Sequence, residues 1–389
     1  MSVRTVQLGE VCEFVRGVTF PSGEGKSEPT ADSIACLTTS GVQREVAWRS
    51  RRFIPRERIR NSRQILRSGD ILISTANSKE LVGKSCLVHR PPYPCAFGTF
   101  VTVARPLEKV YPLYLAYWMG TPDFLAWCYK SSSNTTNISN LRVSELETLE
   151  LRLPNVSEQK RIAGQLEQAD RLRRTRRYAL ALSDTVLPAT FLQLFGDNFD
   201  CGPFGQFGDL VKITGGGTPS RDRPDFFKGR IPWLTSKDMR GDYIWDTEEH
   251  ITEEAIKSSA TNLVPATSIL IVVKSKVLMH RLPVAIARVP MCHGQDIKSI
   301  QCSKAMHYEF ARFVLKYHER RLLNIARGAN TEGLTLPMLE ELPVPRVDYN
   351  AQRRFAAIVE RHERLRGAQR EALRHADHLF QSLLDRAFS

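Results

Sequence analysis

The sequence predicts an α+β chain in which two β-rich α/β domains are separated by two long antiparallel helices that form a coiled-coil spacer. Three observations support this fold class. The chain matches itself at a shift of about 193–199 residues, so we expect a pseudo-twofold internal repeat. Short apolar runs broken by Gly and Pro precede each helical segment. Both helical segments space their apolar residues alternately by four and three, which is typical of a coiled-coil seam.

The repeat is clearest in the helices. Residues 158–163 align with residues 351–356 at a shift of 193, whereas residues 8–11 align with residues 207–210 at a shift of 199. Because the shift drifts, the domains differ by small insertions while the helices do not. The predicted organisation is a first domain at 1–153, a helical segment at 154–196, a second domain at 197–346 and a helical segment at 347–389.

Within the domains, β-rich apolar runs predict strands over 71–74, 100–103 and 269–273, and residues 113–129 and 306–325 each read as one helix. In the first long helix, Pro188 should kink or end the helix, which we place at 157–187. Such a helix is about 45 Å long. The predicted seam between the two long helices consists of Ile162, Leu166, Leu180, Phe355, Val359, Leu373 and Phe380.

A rod explains the duplication better than two side-by-side domains, because like helices can bury their apolar stripes against each other. B-DNA repeats every ~34 Å, so a rod of this length could hold two reading domains on successive turns of one groove.

The charge balance favours a polyanionic partner. Lys and Arg number 55 and Asp and Glu 42, giving a formal charge of +13 over 389 residues and an isoelectric point near 9.5. Nucleic acid is the first candidate and a membrane surface the second, and an incidental excess of arginine fits the charge equally well. We find no apolar run of the ~18 residues that span a bilayer and no apolar signal core at the start, so a cytoplasmic protein is expected. The eight cysteines form no C-x-x-C pair, which argues for reduced structural residues rather than zinc ligands.

The motifs of the second half carry a family resemblance. Residues 213–221 read Ile-Thr-Gly-Gly-Gly-Thr-Pro-Ser-Arg, residues 229–234 read Gly-Arg-Ile-Pro-Trp-Leu, and residues 158–162 read Glu-Gln-Lys-Arg-Ile. With these motifs the chain resembles the specificity subunits of type I restriction–modification systems over essentially its whole length. The first domain departs most, since Gly17 to Ser22 only faintly echoes the Gly-Thr-Pro-Ser loop.

The resemblance implies a non-catalytic subunit for DNA recognition and DNA methylation. It implies that two target recognition domains each read one half of a bipartite target in double-stranded DNA. It also implies that the helices set the spacing and dock two adenine methyltransferase (modification) subunits, which translocating restriction subunits can join. No cofactor is expected on this chain itself; S-adenosylmethionine belongs with the methyltransferase subunit and ATP with Mg²⁺ with the restriction subunit.

Three incomplete motifs argue against catalysis by the chain. Residues 90–93, Arg-Pro-Pro-Tyr, resemble an amino-methyltransferase motif but begin with Arg, which cannot accept a hydrogen bond. Residues 25–27, Gly-Lys-Ser, lack the earlier glycine of a P-loop. Asp225 and Asp296 have the residue types of a metal nuclease without a further supporting acid.

Candidate DNA contacts come from three patterns. Residues 44–67 are rich in arginine with Trp48 and Phe53 interleaved, although a solvated surface explains such a run too. Polar loops in the second domain lie near glycines or predicted strand ends, and Asn-Thr pairs occur in both halves, where Asn either reads adenine or simply turns the chain. The predicted DNA-binding residues are Arg44, Arg49, Arg51, Arg52, Asn134, Thr135, Thr218, Ser220, Arg221, Lys237, Arg240, Lys274, Lys276, His293, Gln295, Lys298 and Asn330.

A different class of function remains as the alternative. The chain could be a structural adaptor whose long helices bind proteins and whose basic charge is incidental. Five arginines between residues 171 and 177 fit contact with spacer phosphates, pairing with acidic partner subunits, or a solvated helix face. Salt-sensitive DNA binding separates the first hypothesis from the adaptor.

Overall fold

The computed structural model of the chain describes residues 4–135, 138–328 and 333–388. It forms two compact units. Unit 1 comprises Met1–Arg177 and Glu371–Ser389, and unit 2 comprises Tyr178–Arg370. Each unit therefore combines one domain with parts of both helical segments.

The first half of the chain contains twelve strands and five α-helices in its described residues. The strands are β1 (Arg4–Gln7), β2 (Cys12–Arg16), β3 (Ser33–Leu37), β4 (Arg51–Pro55), β5 (Ile71–Ser74), β6 (Ala76–Asn77), β7 (Ser85–Leu87), β8 (Cys95–Phe97), β9 (Val101–Pro106), β10 (Ser133–Thr135), β11 (Ile138–Asn140) and β12 (Glu150–Leu153). The helices are α1 (Leu8–Val11), α2 (Pro112–Trp118), α3 (Pro122–Ser131), α4 (Val143–Glu147) and α5 (Val156–Ser183).

The second half contains ten strands and six α-helices in its described residues. The strands are β13 (Phe204–Gln206), β14 (Val211–Gly215), β15 (Ile231–Leu234), β16 (Tyr243–Ile244), β17 (Glu249–Ile251), β18 (Ile269–Val272), β19 (Val284–Ala287), β20 (Cys292–His293), β21 (Ile297–Cys302) and β22 (Pro343–Pro345). The helices are α6 (Val186–Cys201), α7 (Glu253–Lys257), α8 (Tyr308–Tyr317), α9 (Glu319–Gly328), α10 (Leu336–Glu340) and α11 (Tyr349–Phe388).

The two domains share one sheet topology, which confirms the predicted internal repeat. The order β2-β9-β5-β7 in unit 1 corresponds to β14-β21-β18-β19 in unit 2. In the small sheets, β3 is antiparallel to β4 and parallel to β8, as β15 is antiparallel to β17 and parallel to β20. Unit 1 adds the sheet β10-β11-β6, and unit 2 adds β16 beside β19.

Every residue of strand β5 and of its counterpart β18 is buried, and apolar clusters cover both faces of each strand. Ile71 and Ile73 join a cluster with the helices α2 and α3, whereas Leu72 joins a cluster with the small sheet. Ile269 and Leu270 divide in the same way between two clusters of unit 2. Successive side chains of a strand point to opposite faces, so continuous apolar runs are expected where both faces are covered.

The predicted break at Pro188 occurs four residues earlier than expected. Helix α5 ends at Ser183, and α6 starts at Val186 with Pro188 in its first turn. Proline has no N–H to donate to the carbonyl group four residues before it, but it is tolerated in the first turn of a helix. The carbonyl group of residue 184 therefore lacks its helical hydrogen bond, and the first helix ends just before it. The predicted end at residue 187 is wrong.

Two predicted domain helices are each divided in the structure. Residues 113–129 form α2 and α3, because Thr121 caps the second helix by accepting a hydrogen bond from the Phe124 N–H and Pro122 starts it. Residues 306–325 form α8 and α9, with His318 between them. The His318 imidazole is hydrogen bonded to the Pro343 carbonyl group, which ties this junction to β22.

The long helices pack antiparallel within each unit. In unit 1, Arg173 lies 3.5 Å above the ring of Phe380, and Arg177 is 2.5 Å from Asp377. In unit 2, the imidazole of His362 is hydrogen bonded to the carbonyl group of Ser183, while the rings of Phe191 and Phe355 are 5.4 Å apart. Residue numbers thus rise along one helix as they fall along its partner, as predicted.

One helical stretch of the described residues, Val156–Cys201, is long and apolar enough to cross a membrane by length and composition alone. Its most apolar window has a mean hydropathy of 1.3, so the expectation that no such run exists is wrong by this measure. The core helices of globular proteins share this length and composition. Leu187, Phe191 and Phe195 of this stretch are buried in the core of unit 2.

Candidate functional site

The sheet of unit 2 brings several predicted DNA-binding residues to one end. Strand β14 ends at Gly215, which pairs with Lys298 near the start of β21, and Lys298 also pairs with Ile271 near the end of β18. Antiparallel neighbours place the end of one strand beside the start of the next. The loops at this end, called the loop edge of unit 2, are 215–221, 273–276 and 293–298. They carry Thr218, Ser220, Arg221, Lys274, Lys276, His293, Gln295 and Lys298.

The glycines of residues 215–217 allow the first of these loops to cross the sheet end closely. A Cβ atom on Gly216 would lie 2.1 Å from the carbonyl oxygen of His293, which no other residue could tolerate. The same constraint applies at Gly17 of unit 1, where a Cβ atom would lie 2.1 Å from the Gly98 oxygen. The faint echo of the glycine motif in the first domain therefore preserves the glycine at this crossing, although Gly217, whose Cβ would lie 2.6 Å from the Ala260 carbonyl carbon, has Val18 as its counterpart.

His293 cannot serve as a DNA contact in this structure. Its side chain is completely buried, with Nδ1 3.2 Å from the Gly294 oxygen and no hydrogen-bond partner for Nε2 among the described residues. Burial holds the pKa of this imidazole below its usual value. It takes the place of Phe97 in unit 1. In each domain the glycine that follows this residue, Gly294 or Gly98, donates its N–H to the last residue of the parallel neighbouring strand, Leu234 or Leu37.

Arg221 is exposed but already bound within the domain. Its guanidinium forms two hydrogen bonds with the Glu249 carboxylate, of 2.5 and 2.8 Å, and lies 4.2 Å above the ring of Phe227. A guanidinium held this way can still present its outer face, but its orientation is set by the protein. Thr218, Ser220 and Gln295 are exposed.

Two predicted contacts of unit 2 lie elsewhere. Lys237 and Arg240 belong to residues 235–242, which connect β15 to β16. Arg240 donates to the Lys237 carbonyl group and pairs with Glu248 at 3.2 Å. The structure therefore divides the predicted set of unit 2 into the loop edge and this separate loop. Asn330 lies outside the described residues.

The loop edge of unit 1 consists of residues 16–22, 74–77 and 98–101. The carbonyl group of Phe100 accepts hydrogen bonds from Thr75 and Ala76, as that of Asp296 does from Val273 and Lys274 in unit 2. Strand β10, which holds Asn134 and Thr135, reaches this edge because β11 joins β10 to β6.

Sequence reasoning missed Phe100 at this edge. Its side chain is 54% exposed, and it takes the place of a polar loop residue in the other domain. The only available signal was an aromatic residue after Gly-Thr at the start of a predicted strand.

The arginines predicted to bind DNA in residues 44–67 divide into two groups: two have partners within the protein, and two are exposed without an ion pair among the described residues. Arg44 pairs with Asp170 of α5 at 2.5 Å. Arg51 donates to the Trp48 carbonyl group and lies about 5 Å from the ring centres of Phe53 and Tyr93. Arg49 and Arg52 are exposed, and within the described residues they form no ion pair. These two are the better candidates for DNA phosphates.

Five of the seven predicted seam residues lie in clusters that contain residues of both helical segments. Leu166 and Phe380 share a buried cluster with half-buried Ile162, and Phe355 and Val359 are completely buried in the core of unit 2. Leu180 and Leu373 are half-buried.

One acid of the incomplete nuclease motif is already bound within its domain. Asp225 is exposed and bound by Arg223 through two hydrogen bonds. Within the described ranges no group of three His, Cys, Asp or Glu side chains could hold a metal ion.

Comparison with known proteins identifies the family to which the two repeated domains are similar. The family model described as the type I restriction modification DNA specificity domain matches residues 2–180 and 204–374. The specificity subunit of the type I restriction enzyme EcoR124I/EcoR124II from Escherichia coli is 32% identical over 169 residues, which are 43% of this chain and 42% of that protein. The putative type I restriction enzyme MjaX specificity subunit from Methanocaldococcus jannaschii is 24% identical over 380 residues, covering 90% of this chain and 84% of that protein.

The matches to the first four curated relatives cover only 34–42% of their lengths. Among solved structures, the S subunit of a type I restriction–modification system from M. genitalium superposes with a TM-score of 0.64 at 14% identity, over 100% of this chain and 96% of that one. At such low identity the likeness establishes the fold alone. Since the family model covers both halves of the repeat, the chain belongs to the family of type I restriction–modification DNA specificity proteins.

Proposed function

We propose that this chain is the DNA-specificity subunit of a type I restriction–modification complex. Each domain reads one half of a bipartite double-stranded DNA target, and the chain itself catalyses no reaction. The observation that carries this proposal is the duplicated domain, in which each copy presents its own loop edge and is attached to its own helix contact. A protein that reads one short site has no need for two diverged copies of a reading domain.

The recognition domains we propose are 1–153 and 197–346, and residues 154–196 and 347–389 form the helical spacer. The helices set the number of unread base pairs between the half-sites. They also dock two adenine methyltransferase subunits, which bring S-adenosylmethionine; restriction subunits that join the complex bring ATP and Mg²⁺. Exposed apolar side chains on the helices, among them Tyr178, Leu182 and Leu365, support a protein-binding role.

At the loop edges, polar and basic side chains suit DNA in two ways. Lys274 and Lys276 neutralise phosphates and position the duplex, as does Arg52 of strand β4, whereas Thr218, Gln295 and Asn134 are of the residue types that read base edges. Phosphate contacts release counterions, so binding should weaken steeply with salt.

The test is a map of methylated adenines in the native host, with and without the gene for this chain. A bipartite motif with two defined half-sites and a constant spacer, lost on deletion, is the expected result. A single contiguous motif would contradict the proposal. In a parallel measurement, DNA binding that does not change between about 50 and 200 mM salt would favour the protein-binding adaptor instead.

A further inference from the structure

A hairpin of the first domain reaches the long helix α5 and binds it through charged side chains. Val42 and Val46 form an antiparallel bridge that closes the hairpin. At its tip, Arg44 Nη2 lies 2.5 Å from Asp170 Oδ1, and Glu45 accepts a hydrogen bond from Arg174. We call Arg44, Glu45, Asp170 and Arg174 the hairpin clamp.

Asp170 is the centre of the hairpin clamp. It is buried on the helix, and besides Arg44 it contacts Arg173 at 2.6 Å and Arg174 at 3.1 Å. A buried carboxylate is stabilised by charge-assisted hydrogen bonds. Arg173 and Arg174 come from the same helix, so Arg44 is the partner that ties Asp170 to the domain. The Arg44 side chain is 45% exposed, and its removal therefore opens no cavity in the core.

Unit 2 has the helical half of this arrangement without the clamp. The shift of 193 residues places Glu363 at the position of Asp170 and Arg366 at that of Arg173, and these two pair at 3.3 Å. The corresponding segment between β15 and β17, residues 235–248 with the short strand β16, uses Arg240 to pair with its own Glu248. Within the part of the chain that the structure describes, no ion pair joins that segment to α11.

The cleft between the domain and its long helices is smaller in unit 1 than in unit 2. In unit 1 the cleft lined by Arg44, Tyr117 and Asp170 has a volume of about 240 Å³. In unit 2 the cleft lined by Tyr243, Trp245 and Glu363 has about 700 Å³. Both domains also pack on their helices through apolar contacts, such as Tyr117 on Phe380 in unit 1 and Phe313 on Phe355 in unit 2. The hairpin clamp adds a charged attachment to the first domain only, and an additional attachment resists tilting.

We propose that Arg44 and Asp170 are positioning residues that fix the angle of the first recognition domain on its helices and thereby the spacer length that the protein accepts. This inference rests on the proposed function. A base pair occupies about 3.4 Å of duplex, so a small tilt of the domain is enough to bring a half-site one base pair away into reach.

The experiment uses the complete complex of this chain with its methyltransferase partner. The substrates are duplexes that carry the mapped half-sites at the native spacer or at a spacer one base pair longer or shorter. The variants are Arg44→Gln, which removes the ion pair, Arg44→Lys, which can restore it, and Arg90→Gln as the matched control. Arg90 is an exposed arginine of the same domain, is not among the proposed DNA contacts, and has no ion pair among the described residues.

We expect Arg44→Gln to lower the ratio of methylation at the native spacer to that at altered spacers by about tenfold, the order expected from losing one charge-assisted hydrogen bond. Arg44→Lys should recover most of the ratio, and Arg90→Gln should leave it unchanged. Asp170→Asn should repeat the effect of Arg44→Gln.

Two results would overturn the inference. One is a ratio in Arg44→Gln within twofold of the wild type. The other is an equal loss of methylation at every spacer, which would make Arg44 a DNA contact rather than a positioning residue. Failure of the proposed function has a different signature, since the wild-type complex would then show no dependence on two half-sites at all, and the spacer proposal would fall with it.

Discussion

Gln159 and Gln352 make the same three hydrogen bonds, each at the start of the long helix of its own unit. Gln159 Oε1 accepts from the Tyr111 N–H at 2.8 Å, and its Nε2 donates to the carbonyl groups of Lys109 and Pro154. Gln352 accepts from the His307 N–H at 2.9 Å and donates to the carbonyl groups of Ala305 and Val347. Both side chains are buried, so each glutamine joins a domain to its helix.

Loss of this joint should destabilise unit 1. We expect Gln159→Leu to lower the free energy of unfolding by about 2–4 kcal/mol, because three backbone groups lose their partner in a buried site. Chemical denaturation of the full chain measures the change. Gln168→Leu is the control, since Gln168 lies exposed on the same helix. Equal stabilities of the two variants would show that the joint is not held by these bonds.

Arg51 and Arg52 are adjacent in sequence but should respond differently to replacement by alanine. Arg51→Ala should cost about 1–2 kcal/mol of stability, because this side chain packs against Phe53 and Tyr93. Arg52→Ala should leave stability nearly unchanged. If Arg52 contacts a phosphate, the slope of log affinity for DNA against log salt should fall by about one in Arg52→Ala. An unchanged slope would remove Arg52 from the interface.

His293 should make the stability of unit 2 sensitive to acid. Burial lowers its pKa in the folded state, so near and below pH ~6.5 the unfolded chain binds a proton that the folded chain excludes. This contribution to stability is complete above that pH and is lost as the pH falls. Since His307 and His318 also have lowered pKa values, the informative quantity is the difference between wild type and a variant.

His293→Phe copies Phe97 of the other domain and removes the unpartnered Nε2. We expect it to be more stable than the wild type by about 1 kcal/mol at pH 7 and to lose less stability on acidification to about pH 5.5. Thermal unfolding at the two pH values is the measurement. A variant with the same pH dependence as the wild type would show that His293 is not the responsible group.

Lengthening both long helices should lengthen the unread spacer. Insertion of four residues near Arg177 and near Arg370 adds roughly 6 Å to each helix, which corresponds to about two base pairs of duplex. We expect methylation mapping to show the same two half-sites separated by more base pairs. Unchanged spacing would contradict the proposal that the helices measure the target.

The sequence alone was sufficient for the architecture, because the features that determine it are periodic. Apolar runs of strand length identified β5 and β18, and the four-three pattern identified α5 and α11 as packing partners. Pro188 correctly predicted an interruption of the first long helix, although the helix ends four residues before the predicted position. These signals depend only on neighbours along the chain.

The individual roles of the charged side chains were decided by the tertiary structure. Nothing near Arg44 in the sequence indicates that Asp170 binds it, and nothing near His293 indicates that it replaces a buried phenylalanine. Gln159 and Gln352 were visible as matching letters, but their hydrogen bonds join segments about 50 residues apart. Whether an arginine meets an acid, a ring or solvent depends on which distant segment folds against it, and this is why the fold could be predicted and the site only in part.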